Sequence, residues 1–229
     1  MREPVRSGAI RALPGRRSTG LLGLASTAAI LGGALVAAVP YRGWAGESYS
    51  PFNHFASELG EVARSQAAAT FNLGVILGGL GLGLFLILLS RRMTGRYRPA
   101  LATAGIIADV SGTLVGIFPM GFYAIHGLVS AIFFCTGWIV MAIFSAWLLT
   151  RPGRGFGRWL LVPAALGVLA SLSFVVVYST YSPLPPNVHI IERPTVWAVP
   201  MLEWAALLSL LAWFACVSLE LVRPKVAGD

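Results

Sequence analysis

The chain alternates between long apolar runs and short polar stretches. Six runs, near residues 20–40, 67–90, 100–118, 125–149, 159–180 and 198–221, are continuous rather than alternating. A bilayer core of about 30 Å takes roughly 20 helical residues to cross, so each run is long enough to span. Isolated apolar strands cannot satisfy their backbone in lipid, which leaves helices. The pattern predicts an all-α integral membrane protein. Its six-transmembrane-helix bundle occupies residues 20–222, between a basic tail at 1–19 and a short tail at 223–229.

The polar stretches orient the bundle. Arg2, Arg6, Arg11, Arg16 and Arg17 precede the first helix, and Arg91, Arg92, Arg96 and Arg98 follow the second. Arg151, Arg154 and Arg158 follow the fourth, and Arg223 and Lys225 follow the sixth. The other side holds Arg42, Arg64 and Arg193 alone. Basic residues accumulate on cytoplasmic loops, so both termini are expected in the cytoplasm. The run 21–39 exceeds a signal-peptide core of about 7–15 residues and no AxA site closes it. The first helix is therefore expected to be retained.

Composition narrows the class. Hydrophobic residues make up 56% and charged residues 11%, against about 25% charged in soluble domains. A soluble globule and a disordered chain are both excluded. The net charge of +8 is explained by the flanking arginines, and no nucleic-acid partner is expected. Only Lys225 among the basic residues is lysine, an arginine bias that suggests a GC-rich bacterial genome; the expected location is the plasma membrane. Cys135 and Cys216 fall inside apolar runs, too far apart for a zinc motif, and read as free buried cysteines.

Candidate chemistry gathers on the side opposite the arginines. Gly74/Gly78 and Gly79/Gly83 are small-residue pairs that let helices approach closely, with packing inside the chain favoured over dimerisation. Gly105, Asp109, Gly112 and Gly116 share one helical face, which should point Asp109 into the bundle. The segment Ser50-Pro-Phe-Asn-His-Phe-Ala-Ser-Glu-Leu-Gly60 predicts a short amphipathic outer helix in the first outer loop. Ser50 would be its N-cap, Pro51 its first residue and Gly60 its stop. Phe52, Phe55, Ala56 and Leu59 would form its apolar face, and Asn53, His54, Ser57 and Glu58 its polar face. His126 and Ser130 lie one turn apart on the fourth helix. Glu203 is explained by a helix N-terminus, and His189, Glu192 and Arg193 by solvation. Trp197 suits the outer interface. Ionisable groups inside a membrane mark sites by default. The expected site is therefore an outward-facing polar pocket of His54, Ser57, Glu58, Asn72, Asp109, His126 and Ser130. For Asp109, an interhelical hydrogen-bonding role stands as an equal reading.

These residues carry a resemblance. The Ser50 to Gly60 segment, Phe71-Asn72, Ala108-Asp109-Val-Ser-Gly112, Phe118-Pro119 and Ile125-His126-Gly127 resemble the prokaryotic six-helix membrane family termed domain of unknown function 998. That resemblance implies a fold and no activity. The loop before the second helix is also similar, more weakly, to autophagy-modulator (DRAM-type) membrane proteins. Ceramidase-like membrane hydrolases use a serine, an aspartate and three histidines around zinc. This chain has the types in Ser57, Asp109, His54, His126 and His189, without the paired histidines of their last helices. Three functions are weighed: binding a lipid or membrane-protein partner, zinc hydrolysis through His54, Asp109, His126 and His189, and proton-coupled transport through Asp109. The first leads, because it needs only the features present.

Overall fold

The computed structural model describes residues 15–151, 155–181 and 193–224. It is all-helical among those residues: α1 (Arg16–Ala38), α2 (Ala68–Ser90), α3 (Tyr97–Ile117), α4 (Tyr123–Thr150), α5 (Leu161–Tyr181) and α6 (Ala198–Val222). All six are long and apolar enough to cross a membrane. Proline shapes their boundaries. Pro99, Pro163 and Pro200 each stand third in their helix, where the missing N–H has no intrahelical acceptor to lose. α1 and α3 stop short of Pro40 and Pro119, because the residue before proline disfavours helical backbone.

The helices form a ring. Each packs on the next in chain order, α6 returns against α1, and the seam between α4 and α5 is the sparsest of the six. Within lipid, helices associate through close packing and small residues, and α2 uses two glycine faces for this. A Cβ on Gly74 would lie 2.6 Å from the Ala29 carbonyl of α1, and one on Gly78 2.7 Å from that of Ser26. On the other face, a Cβ on Gly79 would lie 2.6 Å from Thr113 Oγ1 of α3, and one on Gly83 would collide with the Asp109 carboxylate. The glycine pairs therefore serve packing inside the chain. At the arginine-rich end, Phe144, Trp147, Phe156, Trp213 and Phe214 form a buried edge-to-face cluster.

The first loop differs from the helix expected there. Ser50 starts a turn, accepting from Phe52 N through Oγ at 3.3 Å and from His54 N through its carbonyl at 2.9 Å. Phe55 is then extended, and a 3₁₀ turn runs over Ala56–Gly60. Glu58 causes the break: its Oε1 folds back to take the Phe55 N–H at 2.8 Å, which caps a turn starting six residues after Ser50. Phe55, Ala56 and Leu59 are buried as expected, but Phe52 is 56% exposed.

Candidate functional site

Two constellations occupy the loop end of the bundle. The first is a buried ion network, formed because the loop before α6 folds across the loop after α1. Arg193 grips Glu58 with both guanidinium nitrogens, Nη2 to Oε2 at 2.7 Å and Nη1 to Oε1 at 3.0 Å. The two side chains are 5% and 3% exposed. Tyr41 donates its hydroxyl to Glu58 Oε2 at 3.1 Å. Arg193 Nε and His54 Nε2 each lie 3.4 Å from Glu47 Oε1, and His54 Nδ1 lies 2.8 Å from Asn53 Oδ1. Gly46, at φ +81°, makes the tight turn that brings Glu47 round to the network. Backbone bonds lock the same two loops, with Trp197 N donating to the Phe52 carbonyl at 2.8 Å.

Electrostatics follow from burial and pairing. Burial pushes the His54 imidazole below its ordinary value, against the opposing pull of Glu58 and Glu47. Partial burial would raise Glu47, but its own and the Ala45 N–H, His54 and Arg193 leave it lowered. Burial would lower Arg193, yet its bond to Glu58 outweighs that and raises it. Burial and Glu58 raise the Tyr41 phenol, and burial raises Glu61.

The second constellation is a pair of adjoining cavities. An inner one of about 100 Å³ is almost wholly apolar, with Ser57, Asp109, Ser130 and Glu203 as its polar lining. A crevice of about 370 Å³ lies between α4 and α5 under the 3₁₀ turn, and His126, Tyr123 and Tyr178 line it. Ser57, Ser130, Phe134 and Glu203 border both. Asp109 rests on Gly83 with Oδ1 buried and unbonded among the described residues. Glu203 is held by Ala56 N, which donates to Oε2 at 2.5 Å. His126 Nδ1 lies 2.8 Å from the Phe118 carbonyl. Ala131, Cys135 and Tyr178 are exposed along the crevice, so it opens on the side of the bundle. Cys135 is thus not the buried cysteine expected, because it faces outward from the sparse α4–α5 seam.

A family model for a protein of unknown function (DUF998) matches residues 28–220. The chain belongs to the DUF998 family. The match runs from the middle of α1 to the last turns of α6, so both constellations lie within the family's span. No curated protein and no solved structure matches the chain significantly.

In this DUF998 protein the expected pocket residues divide between the two constellations. Ser57, Asp109, His126 and Ser130 line the cavities. His54 and Glu58 line neither; both are buried in the ion network, bound to the chain rather than offered to a ligand. Asn72 donates to the Gly60 carbonyl at 2.9 Å and anchors the 3₁₀ turn to α2. His189 and Glu192 lie outside the described residues. Among the described residues no three His, Cys, Asp or Glu side chains are grouped to hold a metal ion. Arg193, expected to be solvated, is instead buried against Glu58. Glu203, explained in the sequence by its helix N-terminus, also accepts from Ala56 N. Glu47 and Tyr41 are not singled out by the sequence. Arg193 had one signal, its rarity as a basic residue on that side; Glu203 had its place inside an apolar run.

Proposed function

We propose that this multi-pass membrane protein captures an amphiphilic molecule from the bilayer in the crevice between α4 and α5. The observation that carries the reading is the sideways opening: a seam bordered by exposed Ala131, Cys135 and Tyr178 leads to polar groups inside the span. A ligand entering there comes from lipid. Its apolar part lies along Phe134 and Phe174, and its polar part meets Ser57, His126, Ser130 and Glu203. At about 370 Å³ the crevice falls within the roughly 300–1,000 Å³ of small-molecule sites. The Arg193–Glu58 network holds the roof of the crevice, because the 3₁₀ turn that bears Glu58 also bears Ser57.

The bundle sits with its arginine-rich end in the cytoplasm of a bacterial cell and the crevice in the outer half of the plasma membrane. Arg16, Arg91, Arg92, Arg96, Arg98, Arg151 and Arg158 support that orientation. The test uses Ala131, on the crevice wall. Extracts of purified protein should contain a bound amphiphile that Ala131→Trp, by filling the crevice, removes. Bound ligand should also slow maleimide labelling of Cys135. Extracts free of amphiphile, with Cys135 labelling insensitive to added lipid, would refute the reading.

A further inference from the structure

The carboxyls are the charged side chains at the inner cavity, and neither cavity is lined by lysine or arginine. Asp109 and Glu203 are carboxyls; Ser57, Ser130, Ser179, Tyr123 and Tyr178 are hydroxyls; His126 lines the crevice alone, with Nδ1 2.8 Å from the Phe118 carbonyl. Of the three arginines on this side, Arg193 is committed to Glu58, Arg42 to the Tyr41 carbonyl at 2.7 Å, and Arg64 lies over the Trp44 ring. An anionic headgroup would face two carboxyls in a low-dielectric setting with no compensating cation, and burying an unpaired charge is costly. A headgroup of N–H donors meets the opposite situation. Asp109 Oδ1 is buried with no hydrogen bond among the described residues. Gly83 backs the carboxyl on one side, and its other side faces the cavity.

Building on the proposed amphiphile site, we infer that its ligand is a single-chain amine whose ammonium group enters the inner cavity between Asp109 and Glu203. Size supports the division of labour. The inner cavity, about 100 Å³, is the smaller of the two and is the one lined by Asp109, so the headgroup is assigned to it and the chain to the crevice. The crevice takes one alkyl chain along its aromatic wall. The two spaces share Ser130 and Phe134, so the headgroup passes those side chains to reach Asp109. Each N–H then finds an acceptor in Asp109, Glu203 or the Ser130 hydroxyl, and charge-assisted bonds of this kind are the strong ones.

The test holds chain length constant and varies the headgroup. Full-length protein in discs of phosphatidylcholine is titrated with dodecylammonium, dodecanol or dodecanoate, and retained ligand is counted by native mass spectrometry. The expected result is saturable binding of one dodecylammonium, at least tenfold tighter than either other probe. Asp109→Asn and Ser130→Ala should each weaken it, Asp109→Asn tenfold or more. Equal binding of dodecanol or dodecanoate overturns the amine assignment while leaving an amphiphile site. Preferential retention of added phosphatidylethanolamine overturns the single-chain assignment. Saturable binding of none of these overturns the amphiphile reading itself. The wild-type ranking of probes stands as a test even where a variant fails to fold.

Discussion

Arg193→Ala tests whether the loop end is built around one buried ion pair. An exposed pair is worth about 0–1 kcal/mol. Removing one partner of a buried pair costs about 3–5 kcal/mol, because the other charge stays behind unpaired. The geometry selects the second regime: the side chains are 5% and 3% exposed, and Nη2 stands 2.7 Å from Oε2. After Arg193→Ala, Glu58 keeps the Tyr41 hydroxyl and the Phe55 N–H but loses its countercharge. The expected destabilisation is thus about 3–5 kcal/mol. Glu58→Gln should cost less, about 1–3 kcal/mol for lost charged hydrogen bonds, because Arg193 still has Glu47 at 3.4 Å. The assay is denaturant unfolding in detergent followed by tryptophan fluorescence. Trp204 reports directly, since its Nε1 donates to the Tyr49 hydroxyl at 2.7 Å and Tyr49 in turn donates to the Phe55 carbonyl at 3.0 Å. The double variant closes a thermodynamic cycle. An Arg193→Ala cost below about 1 kcal/mol, the surface-pair regime, with no coupling to Glu58, would refute the argument.

Three further outcomes are expected. Gly83→Ala should destabilise by about 1–3 kcal/mol through overpacking against Asp109, while Gly32→Ala, which meets nothing within 4 Å, should be neutral or stabilising; equal unfolding midpoints would contradict the glycine faces. The lowered His54 value means the unfolded chain binds more protons below its ordinary value of 6.5, so stability should fall as pH drops from about 6.5, as linkage requires. Glu47, also lowered, extends the loss through the carboxylate range while the raised Glu61 opposes it. Melting temperatures of His54→Gln should show a flatter slope between pH 7 and 5, and an unchanged slope would assign the effect elsewhere. For topology, cysteine at Ser48 should react with an impermeant maleimide from outside intact cells and cysteine at Gly95 should not; the reverse pattern inverts the bundle.

What the sequence made legible follows from range. A spanning helix is written in some twenty consecutive residues, so the six helices and their proline-set boundaries are local information. The glycine pairs of α2 are local too, and the stripe through Asp109 already implies a neighbour on that face. The network at the loop end is not local. Arg193 and Glu58 are 135 positions apart, and nothing in either segment names the other. The amphipathic pattern over Ser50–Gly60 was real in its apolar positions, but Glu58 folds back onto the Phe55 N–H and replaces the expected helix with two turns. That contact also turns His54 and Glu58 inward, from a polar face offered to ligands into structural groups. Glu203 reads as an ordinary residue near a helix start until the 3₁₀ turn places the Ala56 N–H against it.

The ring of helices bears on how the chain may be cut. Arg16, the first residue of α1, donates to the Glu220 carbonyl of α6 at 3.1 Å, so the two ends of the helical chain meet at the same end of the bundle. Order around the ring equals order along the sequence. A gene opened in the connection between α2 and α3, and rejoined by a linker from α6 to α1, would encode the same six neighbouring pairs in permuted order. Two helices would move from the front to the back, an even number, so every helix would still enter the membrane in its original direction. The fold is a closed circuit of contacts, and the peptide chain supplies five of its six links.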